Sequence, residues 1–232
     1  MSLPRTLEPE VMDSRQEAED YDSMDHVDVN CRFVDDYLAF ARQSFAEVSD
    51  DSLRVILDTG TGTAQIPILL SGRMAGRHAV IACDLSLEML KVAVRNITAG
   101  RCTRAVIPCL CSARRLPLLD QSCHHLISNS IIHHIPHPAD AFAEIRRVAA
   151  SGAVVFVRDL LRPKTADEVD RLVIKWAGTA TAHQQHMFRE SLHAALTISE
   201  IRRILIDTGL NPDWVRQTSD RHWTVSGRVA AD

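Results

Sequence analysis

The residues that most constrain this chain run from 54 to 66, RVILDTGTGTAQI. An apolar run, Val55, Ile56 and Leu57, ends in an acid, Asp58, and a turn with glycines at 60 and 62 follows. The next residues read as the start of a helix. A strand that turns through glycine into a helix is how an open α/β sheet meets a nucleotide-like ligand at its first strand. Glycine allows φ > 0 and a close approach to a ligand, because no Cβ intervenes. The third small position of this turn holds Ala64 rather than glycine.

The rest of the chain repeats strand and helix. A second apolar strand is expected over 78–84 (HAVIACD), a helix opened by Ser86 over 86–98, a third strand over 104–110 and a fourth over 125–130. A helix over 138–150 and a fifth strand over 153–159 (AVVFVRD) continue the alternation, which indicates βαβ units and a largely parallel sheet. Upstream, apolar residues at helical spacing (Phe33, Val34, Leu38, Phe40, Ala41, Phe45) predict an amphipathic helix over 28–48, with a loop at 49–52 before the first strand. Residues 1–30 are rich in carboxylates. They read as a frayed tail or a short helix folded back over a site, with the tail favoured for the first ten. After the fifth strand come a long helical stretch over 165–196, broken near Gly178, and a helix over 198–208 stopped by Gly209. Two β-rich pieces, 213–218 and 222–226, end the chain as an antiparallel hairpin at the sheet edge.

Length and charge narrow the function. A chain of 232 residues with 46% apolar residues can bury the core of one large α/β domain. Its net charge of −4 and lack of a basic block do not supply the electrostatics of nucleic-acid binding. The opening MSLPRTLEPEVMD lacks a signal peptide's apolar core, and no apolar run approaches a membrane span. Six cysteines without a CxxC pair are expected to be reduced thiols of a cytoplasmic protein, with Cys109 and Cys111 facing the same way on a strand in a structural role.

Asp84 is the second strong signal. It closes an apolar strand about two dozen residues after the glycine turn, where an acid can accept from both hydroxyls of a ribose. Taken in order, LDTGTGTAQIPI, ACDLSLEML, ARRLPLLDQS and LISNSIIHHIPHP make the chain similar to class I S-adenosylmethionine-dependent methyltransferases, most of all the small-molecule enzymes of the type 11 kind. The likeness spans about residues 54–159. It implies a Rossmann-like three-layer sandwich: a mostly parallel seven-stranded sheet, an antiparallel C-terminal hairpin and helical lid insertions. It also implies two parts, an N-terminal acidic segment and helix (1–48) covering the site, and an S-adenosylmethionine-binding domain (49–232) with a lid at about 162–197.

The resemblance assigns roles by position. Asp58, Gly60 and Gly62 would form the turn under the methionine part of S-adenosylmethionine, with Thr59 and Thr61 in the same loop. Asp84 would hold the ribose, with Leu85 and Met89 beside the adenine. Ser112 and Ala113 stand where the family commonly has an acid and an alanine near the adenine amino group. Asn129 and Ser130 would touch the methionine end. His124 stands where many members have an aspartate.

Histidines 124, 125, 133, 134 and 137 are dense but lack the spacing of H-E-x-x-H, so no metal is expected and the imidazoles are read as structural or acid–base groups. His133 is placed ahead of His134 as the one facing the cofactor's methyl. Arg158 and Asp159 close strand five and are expected at the rim of the site, Asp159 as a further acid–base candidate or as a cap. The insertion over 165–196 suits a lid, and with the N-terminal helix it nominates Tyr21, Met24, Met187 and Phe188 for substrate contact, beside Arg158 from the end of strand five. No [ND]-P-P-[YFW] follows strand four, which with the missing basic surface favours a small-molecule acceptor over nucleic acid. The expected protein is a monomer or homodimer that does not engage a membrane. A non-catalytic S-adenosylmethionine-binding regulator is the alternative, and a nicotinamide oxidoreductase is disfavoured because G-x-G-x-x-G is incomplete.

Overall fold

Two helices precede the sheet, α1 (Arg15–Ser23) and α2 (Val27–Ala46). The alternation then runs β1 (Arg54–Thr59), α3 (Gln65–Arg73), β2 (His78–Asp84), α4 (Leu87–Ala99), β3 (Val106–Leu110) and β4 (Cys123–Asn129). A 3₁₀ turn over Ile132–His134 leads into α5 (Pro138–Val148) and β5 (Ala149–Leu160). Helices α6 (Ala166–Ala177), α7 (Ala182–Ala194) and α8 (Ile198–Asp207) follow, then β6 (Val215–Gln217) and β7 (His222–Arg228). This computed structural model describes residues 3–11, 13–46, 52–74 and 77–230, with the side chains of 43–46 outside the description. The expected loop at 49–52, apart from Ser52, and the packing of Phe45 therefore lie outside the described residues.

The seven strands form one sheet in the order β3-β2-β1-β4-β5-β7-β6. The first five are parallel, and β7 runs antiparallel to β5 and β6. The chain winds one way from β1 to β3 and the other way from β4. That reversal opens a crevice at the carboxyl ends of β1 and β4, where open α/β sheets bind ligands.

Strand alternation separates two cores. Leu57, Leu126, Val155, Val157, Trp223 and Val225 face α5 and α8, which contribute Phe142, Ile145, Ile201 and Leu205. Ile56, Val80, Ile127, Val154 and Phe156 face the other way, toward α2, α3 and α4. Helix α2 docks because Phe33, Val34, Tyr37 and Ala41 recur on one helical face and all are fully buried. The Tyr37 hydroxyl, carried into that core, meets His125 Nδ1 at 2.9 Å. Burial of that imidazole pushes its pKa down to about 3, so it is neutral in the core.

Side-chain caps set helix starts. Ser14 and Glu17 cap α1 reciprocally, as do Thr181 and Gln184 for α7 and Thr197 and Glu200 for α8. Helices α6 and α7 form a hairpin with its own apolar cluster, Leu160, Val169, Leu172, Val173, Leu192 and Ala195. Among the described residues no helix is long and apolar enough to cross a membrane.

The first residues depart from the tail expected for them. Arg5 donates to the carbonyls of Ala194 (2.7 Å), His133 (3.0 Å) and Ile135 (2.9 Å), and Thr6 N–H donates to His193 O. Residues 3–11 thus lie as a strap across α7 and the Ile132–His134 turn. One arginine satisfying several otherwise unpaired carbonyls outweighs the local lack of periodicity that suggested fraying.

Candidate active site

The loop after β1 takes a left-handed backbone at alternate residues: Gly60 (φ 73°), Gly62 (φ 54°) and Ala64 (φ 62°). Gly60 N–H and Thr61 N–H both donate to Cys83 O at 2.8 Å, and Gly62 N–H donates to Asp84 Oδ2 at 2.7 Å. The loop is thereby tied to the end of β2. A Cβ at Gly60 would lie 2.1 Å from Ile131 Cγ2, so only glycine fits there. Ala64 takes the conformation usual for glycine at the third position, and it is fully buried.

Beside this loop lies a cavity of about 810 Å³, counting the part of it open to solvent. Its walls include Gly60, Gly62, Asp84, Leu85, Met89, Ser112, Ala113, Asn129 and Ser130, nine residues nominated from the sequence. Asp84 Oδ1 accepts from Ser86 N–H at 2.8 Å, which turns the carboxylate along the wall. Burial raises its pKa against the opposing pull of those amides. A smaller space of about 340 Å³ shares Tyr21, Gly60 and Asn129 with the first and adds Asp58, Thr61 and Thr63. There Asp58 Oδ2 and the hydroxyls of Thr61 and Thr63 are buried without a hydrogen-bond partner. Burial lifts the Asp58 carboxyl to about 7, and the Asp84 charge adds to the rise.

Helix α1 closes one side. Ala18 packs with Met89 and Val92 of α4, and Asp22 accepts from Asn96 Nδ2 at 2.9 Å. This puts the Tyr21 ring over the loop, 3.6 Å from where a Cβ on Gly62 would be. Burial, together with the Asp84 and Asp58 charges, pushes the Tyr21 phenol up to about 12. The strap closes another side with Glu10 and Val11, Glu10 held by Arg114 at 2.9 Å.

Asp159 is fully buried and accepts from four groups: the N–H of Ile132 (2.5 Å), of His133 (3.2 Å) and of Leu160 (2.5 Å), and His133 Nδ1 (2.5 Å). Burial alone would raise its carboxyl; the His133 imidazole and the amides outweigh that and hold it below the usual range. The same contact raises His133 against its burial. His133 Nε2 and His134 Nδ1 lie 3.4 and 3.2 Å from Glu8 Oε1 of the strap. Burial and the neighbouring His133 push His134 down to about 3. Burial raises Glu8, against the attraction of His133.

Several nominated residues lie elsewhere. His134, not His133, lines the cavity, because Asp159 turns the His133 ring inward. Asp159 is behind the wall rather than at the rim. Arg158, its neighbour in β5, points to the opposite sheet face, over the rings of Phe33 and Phe156, and pairs with Asp36 at 2.7 Å. Thr59 is buried beneath the loop, its carbonyl accepting from Ser128 Oγ. Met24 caps the end of α1. Met187 and Phe188 sit on α7, where Phe188 packs against the α6–α7 cluster, and neither lines the cavity. A helical pair that must bury its own apolar face has little left to offer a ligand.

Glu8, Glu10 and Val11 escaped the sequence reading. The only signal was the run of carboxylates near the N-terminus, which does not say where the strap lands. Among the other histidines, His124 Nδ1 accepts from Val55 N–H at 3.2 Å and joins β4 to β1.

Residues 57–157 match the model of a methyltransferase domain family. A malonyl-[acyl-carrier protein] O-methyltransferase from Marinomonas sp. (strain MWYL1) is 35% identical over 137 residues, 59% of this chain and 48% of that protein. The chain thus matches about half the length of that curated relative. A methyltransferase from Aquifex aeolicus described as dependent on S-adenosylmethionine superposes with a TM-score of 0.60 at 16% identity, over 94% of this chain and 99% of that one. A protein from Methanococcus maripaludis gives 0.61 at 14% identity, over 98% and 97%. At such identities these two similarities concern the fold.

Proposed function

We propose, from the premise that residues 57–157 form a methyltransferase domain on the class I fold, that this chain binds S-adenosylmethionine and transfers its methyl group to a small-molecule acceptor. The observation that carries the reading is a pair of acids in two adjoining spaces that share Tyr21, Gly60 and Asn129. Asp58 brings a buried, unpartnered carboxylate oxygen, and Asp84 presents a carboxylate beside a glycine loop.

The residues fit the cofactor. Asp58, with the unpartnered Thr61 and Thr63 hydroxyls, suits the ammonium and carboxylate of an amino acid. Asp84, whose oxygens each keep a lone pair, suits a ribose diol. Leu85, Met89, Cys111 and Ala113 make the apolar wall a flat base needs. When bound, S-adenosylmethionine supplies a methyl group already activated by its sulfonium charge.

The chain's own contribution is placement and exclusion of water. Tyr21 and the strap roof the cavity beside the loop. Asn129 and Ser130, at the end of β4, bring polar groups to the methionine side, Ser130 with φ 58°. His134 is neutral at physiological pH and stands on the cavity wall, where its ring is placed to hydrogen-bond an acceptor. Asp159 acts through His133, holding the turn on which His134 stands. No lysine or arginine is among the residues lining the cavity, so its described walls give an anionic acceptor no side-chain cation. That weighs against simply carrying over a malonyl substrate from the relative, although the likeness supports oxygen as the acceptor atom.

Calorimetry tests the reading. S-adenosylmethionine and S-adenosylhomocysteine are expected to bind with micromolar or tighter affinity, and Asp84→Ala to weaken both by at least ~30-fold, about 2 kcal/mol for charge-assisted hydrogen bonds. Binding of NAD without either ligand, or an unchanged Asp84→Ala variant, would overturn it.

A further inference from the structure

We propose that Glu8, His133 and His134 form a binding site for one divalent ion of the zinc class, open to the cavity. Glu8 Oε1 lies 3.2 Å from His134 Nδ1 and 3.4 Å from His133 Nε2, and the three atoms lie within 4.8 Å of one another. Ligands about 2.1 Å from a common ion stand roughly 3.0 Å apart at a right angle and roughly 3.4 Å apart at the tetrahedral angle. Both measured separations fall in that window.

A second observation points to a ligand. Glu8 Oε1 and His134 Nδ1 are both buried and neither has a hydrogen-bond partner, despite their short separation. A carboxylate and an imidazole this close would satisfy each other if an N–H pointed along the line between them. Instead the two atoms stand side by side, unpaired. The Glu8 side chain is more than nine-tenths buried, at 9% exposure, and the His134 side chain is 22% exposed, so leaving Glu8 Oε1 unpaired is costly.

The surroundings match what metal-binding imidazoles need. His133 gives its other nitrogen to Asp159 at 2.5 Å, the carboxylate–histidine pairing that fixes ring orientation and tautomer at metal sites. Asp159 is itself pinned by three backbone amides. Two imidazoles with one carboxylate suit zinc, cobalt or ferrous iron rather than magnesium or calcium. His134 and Ile135 also line the cavity, so the ion would sit at its wall. There the ion would meet an acceptor oxygen and supply the positive charge that the walls lack; that use, unlike the binding itself, rests on the proposed function.

The ion would also fasten the strap, since Glu8 is the ligand it contributes. The three sulfurs of Cys83, Cys109 and Cys111 form a rival cluster, with Cys111 also on the cavity wall, and the experiment must separate the two.

The chelator-treated 232-residue chain is titrated with Zn²⁺ by calorimetry and with Co²⁺ by visible absorption, alongside Glu8→Gln, His134→Ala and a Cys83→Ser/Cys109→Ser/Cys111→Ser variant. S-adenosylmethionine affinity is measured on each sample, so failure of the methyltransferase reading shows separately from failure of the ion site. One equivalent of ion is expected, with nitrogen- and oxygen-type Co²⁺ spectra. The Glu8→Gln and His134→Ala variants should lose at least ~100-fold in affinity, and the cysteine variant should keep it. Glu8 is on the strap, so Glu8→Gln decides the matter should His134→Ala fail to fold. Absence of stoichiometric binding, equal affinity in Glu8→Gln, or loss confined to the cysteine variant would each overturn the proposal.

Discussion

Removing the charge of Asp58 should stabilise the unliganded chain and harm its binding, and the two effects should separate with pH. The carboxyl lies at about 7 in the folded chain against 3.8 for a free aspartate, mainly because burial disfavours its charged form. That difference corresponds to about 4 kcal/mol. The sign follows from proton counts. Between the two values the folded state holds the proton more tightly than the unfolded one, so this group's contribution to stability falls as pH rises from about 4 to about 7. Water entry and relaxation reduce the cost, so about 2 kcal/mol is the working figure at pH 8 and about 4 the ceiling. Asp58→Asn keeps the shape and removes the charge. Urea denaturation followed by circular dichroism should find the variant about 2–4 kcal/mol more stable than the parent at pH 8 and within about 1 kcal/mol of it at pH 4.5. The parent should bind S-adenosylmethionine more tightly as pH rises from 6 to 8, with proton release, because the ligand's ammonium favours the carboxylate. The variant should lose most of that dependence and bind more weakly. An Asn variant no more stable than the parent at pH 8 would refute the reasoning, since it would mean that Asp58 carries its charge at little cost.

Gly60→Ala should destabilise the chain by at least ~2 kcal/mol and lower its melting temperature, because the new methyl would strike Ile131 and the residue has φ 73°. Ala64→Gly should instead stabilise it by up to ~1 kcal/mol, read by urea denaturation, because the left-handed conformation penalises alanine by more than glycine loses in unfolded-state entropy. Arg158→Ala should leave S-adenosylmethionine affinity unchanged in calorimetry while lowering stability by ~1 kcal/mol, since its guanidinium packs on Phe33 and Phe156 rather than at the cavity.

The sheet and its loop were legible because their information is local. Apolar runs of five to seven residues, each ending in a turn and followed by a helical period, specify a parallel sheet before any contact is known. Errors were small and fell at ends: β3 begins at Val106 rather than 104, and β5 starts at Ala149, four residues early. The glycine turn and Asp84 were legible for a related reason. Left-handed backbone at Gly60 and Gly62 requires particular residue types, and an acid at a strand end has few places to point. Residues 3–11 carry no period, and their position depends on Arg5 reaching carbonyls contributed by α7 and by the segment from His133 to Ile135. Nothing near residue 5 announces those acceptors.

The histidine pair shows where local reasoning stops. Strand alternation correctly implies that Arg158 and Asp159 face opposite sides of β5, but it cannot say which side holds the ligand. That is decided by the partners available. Behind the sheet, Asp36 and two aromatic rings receive Arg158, and in front the amides of Ile132 and His133 receive Asp159. Once Asp159 takes those amides and His133 Nδ1, the first imidazole is held inside and the second is left for the cavity. Asp159 therefore chooses between two adjacent, chemically identical side chains without touching the cavity itself. The same logic explains why a spacing test for H-E-x-x-H is blind to the ion site: its carboxylate, Glu8, comes from the strap and meets the pair only in three dimensions.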